Sequence, residues 1–341
     1  MPKVSVLLSN YNTPVDYLKK SLDSVLNQSF SDFEVLIVND GSTDMSREVL
    51  YEYLNKDSRI RIIENEKNMG LPYSLNKGLE ECNGEYIARM DTDDICYLDR
   101  LEKQVAFMDK HPEYILSGAW AETFSTDENS IDRVWQPVMC NNEEYKIRLL
   151  FNSAPLIVHP TAIFRKKMLV DNNLKYPEDP RYKYSEDYMM WVKCSEYGKI
   201  GILEDIVLKY RNIQSNSRIT IKHEQEMKQC CFEVQSFQYM KLGIELSEEQ
   251  FELNNYLLLG RKPYDIKYRN LIDMVITQNK IHKVYTQKIL KELLHERWYN
   301  IVYYGIAYEK STAKRMKYFF SFYPDGMIKF IRSLVFKNSS K

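Results

Sequence analysis

The sequence predicts an α/β protein: a mainly parallel sheet covered by helices on both faces, followed by a mostly helical C-terminal region. Three observations predict it. Strand-like and helix-like patterns alternate through residues 4–110. A polar cluster follows each strand-like run, where the ligand-binding end of such a sheet would lie. From residue 219 onward the pattern is mostly helical and carries no chemical motif.

Val4 to Leu8 is a short β-rich run, and Leu18, Leu22, Val25 and Leu26 follow at helical spacing. Phe33 to Val38 reads as the next strand and ends at Asn39-Asp40-Gly41. Ser42 or Thr43 is expected to cap a helix carrying Val49, Leu50, Tyr53 and Leu54 on one face. Ile60 to Ile63 gives a third strand, and Pro72 opens a helix with Leu71, Leu75 and Leu79. Glu85 to Ala88 gives a fourth strand, just before Asp91-Thr92-Asp93-Asp94, and Leu98, Leu101, Val105 and Met108 share a further helix face. From 113 to 215 the pattern loosens into short strands, loops and one clear helix beginning near Ser185, and 250–270 is ambiguous.

The formal net charge of −1 over 341 residues excludes a general nucleic-acid binder, because no basic excess exists to neutralise phosphates. The six cysteines form no CxxC pair and no zinc-like spacing with histidine, which reads as thiols in a reducing cytoplasm. The N-terminus starts a strand at once and lacks a secretory signal pattern, and no apolar run is long enough to span a membrane. A cytoplasmic protein is therefore expected. The tyrosines gather in the second half, which hints at an interfacial surface there.

Four polar clusters stand at strand ends: Ser9-Asn10-Tyr11-Asn12, Asn39-Asp40-Gly41, Asn68-Met69-Gly70 and the Asp91–Asp94 group. One end of one sheet would collect them all. The last packs three carboxylates into four residues, a costly arrangement without a compensating cation. Hard oxygen ligands suit Mg²⁺ or Mn²⁺. The bland alternative is a solvated loop, with Asp94 capping the next helix. A second constellation is Ser185-Glu186-Asp187: either a base carboxylate in a reaction, or an acidic first helical turn favoured by the helix dipole.

Taken in order, Val4–Asn12, Val38–Asp44, Asn68–Gly70 and Gly84–Asp94 resemble family 2 glycosyltransferases of the GT-A (Rossmann-like) fold. His159-Pro160-Thr161 and Ser185–Trp191 extend the likeness, which runs from residue 3 to about 215. The resemblance implies a catalytic region 1–218, with a nucleotide-sugar donor half at 1–112 and an acceptor half at 113–218, before the helical region 219–341. It implies a UDP-sugar donor, Mn²⁺ or Mg²⁺ as cofactor, and an inverting transfer to a glycan hydroxyl. The acceptor would be lipid-linked, in the synthesis of a surface polysaccharide.

It also implies roles by residue. Tyr11 would lie against the nucleobase and Asp40 would accept a hydrogen bond from it; a packed loop tyrosine and a turn residue are the plainer readings. Asn10 belongs to the same donor-binding stretch. Asn68 and Gly70 would let backbone approach the donor, or merely cap a helix. Asp91 would bind ribose and share in holding the metal, with Asp93 as its ligand. Asp187 would be the general base, with Glu186 positioning it or touching a substrate. Trp191 is either a sugar platform or a core residue; His159 is either an acceptor contact or structural. Relatives often carry a His after the pair matching Tyr210-Arg211, but here Asn212-Ile213-Gln214 follows. Arg211 is thus left to reach phosphate or to form a surface salt bridge.

Within 314–337, Lys314, Arg315, Lys317, Lys329, Arg332 and Lys337 interleave with aromatic and aliphatic residues against Asp325 alone. That pattern suits the anionic inner face of a plasma membrane, or a helix packed on the protein with its lysines solvated. Two rivals remain. A sugar-phosphate nucleotidyltransferase would show a Gly-rich basic loop after the first strand, which Ser9–Asn12 lacks. A catalytically inactive nucleotide-sugar-binding partner would have lost one of the carboxylate sets, and both are present.

Overall fold

Runs such as Val4–Leu8 and Phe33–Val38 are apolar without alternation because they become inner parallel strands covered on both faces. The computed structural model describes residues 1–125, 127–137, 140–151, 157–212, 223–256 and 266–330. The chain opens with β1 (Val4–Asn10), α1 (Val15–Leu26), β2 (Phe33–Asn39), α2 (Ser46–Lys56), β3 (Ile60–Glu64), α3 (Leu71–Glu81) and β4 (Tyr86–Asp91). There follow β5 (Ile95–Cys96), α4 (Arg100–Lys110), β6 (Tyr114–Phe124), β7 (Arg133–Trp135), α5 (Asn142–Phe151), β8 (Ile163–Arg165), α6 (Lys166–Asp171), α7 (Glu186–Tyr197) and β9 (Lys199–Arg211).

The strands form one mixed sheet in the order β3-β2-β1-β4-β8-β6-β9-β5, with β7 beside β6. β1, β2, β3 and β4 are parallel, as the alternating pattern implies, whereas β8 runs antiparallel to β4 and β6. The chain leaves β1 toward β2 and β3, then returns to add β4 on the other side. That reversal makes the carboxyl ends of β1 and β4 a topological switch point, where such sheets bind ligands. Ser9 on β1 pairs with Asp91 on β4. The core joins Val4, Val6, Leu8, Val35 and Ile37 of the sheet to Leu18, Leu22 and Val25 of α1.

Several local readings change. Leu98 is 63 % exposed and precedes α4, which starts at Arg100. Ser42 and Thr43 do not cap α2; Asp44 Oδ1 instead accepts from the backbone N–H of Ser46 at 3.0 Å. Asp94 caps nothing: it is fully buried. The region after 113 is not only short strands, since β6 and β9 are long and pair in parallel. Register shifts near Tyr114, Ala119 and Trp120 break their alternation, so the sequence shows no clean period.

The chain divides into two compact units, Met1–Asn142 with Ala154–Cys231, and Glu143–Ser153 with Phe232–Lys341. The second unit holds most of α5, then α8 (Glu224–Lys241) from Phe232 onward, α9 (Glu248–Tyr256), α10 (Ile266–His282), α11 (Gln287–Tyr308) and α12 (Thr312–Phe319). α5 joins this unit because buried amides hold its last carbonyls. Asn254 Nδ2 donates to Leu150 O at 3.1 Å and Gln238 Nε2 to Leu149 O at 3.3 Å. The ambiguous stretch resolves into the end of α9 and the start of α10, and 257–265 lie outside the described residues. No helix among the described residues is long and apolar enough to cross a membrane.

Candidate active site

A cleft of about 660 Å³ opens in the first unit, and the strand-end clusters supply its walls. Tyr11, Asn12, Asp40, Asn68, Gly70, Asp91 and Asp93 all line it. Its volume falls in the range that takes a cofactor-sized ligand.

The rim is built by hydrogen bonds between neighbouring strand ends. Asn10 is fully buried, and its Nδ2 donates to Asn39 Oδ1, Ser42 Oγ and Ser46 Oγ at 3.2, 3.0 and 3.1 Å. It therefore ties β1 to β2 and α2 and does not reach the cleft wall, which corrects its expected donor contact. Tyr11, beyond it, is 48 % exposed and presents its ring to the cleft. Asp40 is 2 % exposed. Its carboxylate accepts from Asn65 Nδ2 and from the backbone N–H groups of Met69 and Gly70, at 2.7, 2.9 and 2.9 Å. Asp40 thus shapes the Asn68–Gly70 loop as well as lining the cleft, so its turn role and its place in the site coexist. Gly41 is required twice over: φ is +68°, and a Cβ would meet the Lys67 carbonyl carbon at 2.4 Å. Asn68 Oδ1 accepts from the Gly70 N–H at 3.0 Å, and Gly70 itself has φ +92° at the start of α3.

Oxygens of Asp91, Asp93 and Asp94 lie within 4.8 Å of one another. Each stands differently. Asp91 is forked by Arg89, with Nη1 to Oδ2 at 2.7 Å and Nη2 to Oδ1. Asp94 accepts the Arg211 N–H on Oδ1 at 2.8 Å, while its buried Oδ2 has no partner. Burial, then the charge of Asp91, pushes Asp93 up to about 6. Burial, then Asp93 and Asp91, holds Asp94 well above the usual carboxylate range. Clustered anions and an orphaned carboxylate oxygen are what a divalent cation on hard oxygen ligands would relieve, so these residues fit Mg²⁺ or Mn²⁺.

The second constellation reaches the same cleft. Glu186, on the first turn of α7, lines it beside Asp91 and Asp93, together with Lys183 and Tyr184. Its Oε2 is buried without a partner. Burial, then the neighbouring Asp187, pushes Glu186 up to about 8. Asp187 follows it and accepts the Tyr188 N–H on Oδ1 at 2.6 Å; it is not among the wall residues. Burial pushes Asp187 up to about 6, against the pull of that hydrogen bond and of Arg89.

Two expected contacts, Trp191 and Arg211, turn out to be buried, and His159 is half-buried. Trp191 is fully buried against Phe164 and His159, so it offers no face to a sugar. His159 meets Tyr176 OH through Nε2 at 3.0 Å, and burial of its ring holds it well below its ordinary range. Arg211 is no surface salt bridge: it is 6 % exposed, its Nε donates to Asp93 O at 2.8 Å, and its guanidinium lies over the Tyr17 ring at 3.9 Å. The expected histidine-free stretch after it continues into 213–222, outside the described residues. Sequence reasoning missed Arg89, Tyr17, Lys183, Tyr184 and Met227. Only Arg89 left a signal, since strand alternation puts residues 89 and 91 on one face.

The profile described as "Glycosyl transferase family 2" matches residues 5–171. The amylovoran biosynthesis glycosyltransferase AmsE of Erwinia amylovora is 34 % identical over 209 residues, spanning 61 % of this chain and 75 % of that protein. Residues 1–349 of S. aureus TarS, solved with UDP-GlcNAc, superpose with a TM-score of 0.55 at 20 % identity, covering 94 % of this chain and 93 % of that one. The mannosyltransferase PcManGT of Pyrobaculum calidifontis, solved with GDP-Man and Mn²⁺, gives 0.53 at 14 % identity over 91 % and 88 %. These two structures share the GT-A fold. A GT-A sheet with an acidic cleft at its switch point, matched to these sequences, defines a glycosyltransferase. The chain belongs to glycosyltransferase family 2.

Proposed function

We propose that this enzyme is a metal-dependent inverting glycosyltransferase that moves a hexose or N-acetylhexosamine from a UDP-sugar to a glycan hydroxyl. The observation that carries the reading is the meeting of Asp91, Asp93 and Glu186 on the walls of one cleft. Tyr11 covers the nucleobase and Asp40 accepts from it, while Asn68 and Gly70 bring backbone close to the donor. Asp91 accepts from ribose and Asp93 holds Mg²⁺ or Mn²⁺. When bound there, the ion neutralises the negative charge that grows on the leaving diphosphate.

Asp187 takes the acceptor hydroxyl proton as that oxygen attacks the anomeric carbon, and the sugar–phosphate bond breaks on the opposite face. Glu186 is protonated at neutral pH, as its upward shift requires, and donates a hydrogen bond to substrate. Attack opposite the leaving group turns an α-linked donor into a β-linked product. No covalent intermediate forms, so no nucleophilic Ser or Cys is needed.

The acceptor is a lipid-linked glycan in polysaccharide synthesis; the likeness to an amylovoran biosynthesis enzyme supports the polysaccharide class. The enzyme then works at the inner face of the plasma membrane. Met316, Phe320 and Ile328 are 50, 67 and 53 % exposed near Lys314, Arg315, Lys317 and Lys329 in the sequence, which supports contact with an anionic surface. The other half of the sequence pattern turns inward: Phe322, Tyr323 and Phe330 are buried. Residues 331–337 lie outside the described residues. The test is a panel of UDP-sugars with Mn²⁺ and glycan acceptors, read by UDP release and by the anomeric coupling constant of the product. A β-linked product supports the reading, and an α-linked product from an α-linked donor overturns it.

A further inference from the structure

Arg89 is a buried cation dedicated to one member of the acid cluster. It lies on β4 two residues before Asp91, so both side chains leave the same face of the strand. Its side chain is 3 % exposed, and both terminal nitrogens go to Asp91, one to each carboxylate oxygen. Among the described residues its Nε has no partner and only Asp91 takes hydrogen bonds from the guanidinium. The strand beneath is pinned: the Arg89 N–H donates to Ala162 O at 2.8 Å, and Arg100 Nη2 donates to Arg89 O at 2.7 Å. Arg100 is itself fully buried and braced by Gln104. Two arginines in series therefore fix the plane of the Asp91 carboxylate.

The consequence is chemical. A fork-to-fork pair occupies the facing lone pair of each oxygen and offsets the carboxylate charge from a guanidinium that is 3 % exposed, while the Asp91 side chain, 31 % exposed, keeps its outer lone pairs toward the cleft. The remaining lone pairs of Asp91 still accept hydrogen bonds from neutral hydroxyl groups, but they attract a divalent cation weakly. Asp93 has no such counter-ion: among the described residues, no ion pair engages its carboxylate, and Arg211 reaches only its backbone oxygen. Asp94 is 0 % exposed, its Oδ1 is committed to the Arg211 N–H and it is not among the cleft-wall residues, so it can support an ion only from behind through Oδ2, while Asp93 faces the cleft.

We infer that Arg89 is a positioning residue that divides the work of the acid cluster: it reserves Asp91 for donor hydroxyl groups and leaves the divalent cation to Asp93. This rests on the metal reading above. The test uses the full chain and Mn²⁺ alone, titrated by electron paramagnetic resonance without donor, with UDP binding measured separately by calorimetry. Asp93→Asn should weaken Mn²⁺ binding about tenfold or more, whereas Asp91→Asn should change it by less than about twofold while weakening UDP. Arg89→Gln should tighten Mn²⁺ at least about fivefold by releasing the Asp91 charge, and the gain should vanish in Arg89→Gln/Asp91→Asn. Arg89→Lys keeps the charge but not the fork, so Mn²⁺ binding should stay near wild type while UDP binding falls.

Equal Mn²⁺ losses in Asp91→Asn and Asp93→Asn would overturn the division while leaving the metal reading intact. Mn²⁺ binding unchanged by Asp93→Asn would overturn both. The two Asp substitutions decide the matter by themselves if Arg89→Gln does not fold.

Discussion

Asp187 and Glu186 are adjacent carboxyls with different environments, and the difference sets what each can do. A base must be ionised. Burial raises Asp187 to about 6, so the carboxylate form is lost below that pH and gained above it. Turnover should therefore rise with pH through about 6 and level off near neutrality, and a kcat/KM profile checks it. A flat profile across that range would count against Asp187. Burial and the neighbouring Asp187 push Glu186 up to about 8, which suits the proposed donor role at neutral pH. Glu186→Gln retains a donor and should keep most of the turnover, while Asp187→Asn should lose about a hundredfold or more in kcat. The reverse order of losses would exchange the two roles. Much at this scale was legible in the sequence, because Tyr11, Asp40, Asn68, Gly70, Asp91, Asp93 and Glu186 all line the cleft. What was not legible was depth: nothing in the local pattern distinguishes Trp191 or Asn10, both fully buried, from residues on the wall.

At the scale of elements, the strand ends work because loops lock to one another before any ligand arrives. Gly41 sits where the β2–α2 loop meets Lys67. Gly41→Ala should cost about 1–3 kcal/mol, from positive φ and backbone collision together, measured by chemical denaturation. A loss under about 0.5 kcal/mol would mean that the loop simply shifts. In the second unit, Asn254 holds the Leu150 carbonyl and Gln235 Oε1. Asn254→Ala should cost about 1–3 kcal/mol by removing the hydrogen bond to the buried Leu150 carbonyl, with the same readout. The parallel core was readable because long apolar runs have few other uses. The pairing of β6 with β9 was not, since register shifts erase the period and the partners lie far apart in sequence. The assignment of α5 to the C-terminal unit was equally hidden, because it depends on amides more than eighty residues downstream.

For the whole molecule, the fold brings the Asp91–Asp93 cluster and Glu186 to one cleft, with Asp187 next to Glu186 on α7. If the exposed apolar and basic residues of the C-terminal unit meet a membrane, Met316→Glu/Phe320→Glu should reduce co-sedimentation with phosphatidylglycerol vesicles severalfold at unchanged Tm. Equal sedimentation would reject that surface. Removing the ion with EDTA should stop transfer, and added Mn²⁺ or Mg²⁺ should restore it. The account's central claim is a metal-assisted transfer with Asp187 as base. Mn²⁺-dependent UDP release, from a UDP-sugar and acceptor that the wild type uses, tests it most directly when wild type and Asp187→Asn are compared at pH 7.5. Wild-type release should need Mn²⁺ and should be almost completely lost in Asp187→Asn; full release by Asp187→Asn would rule out that base, and release indifferent to Mn²⁺ would rule out the metal.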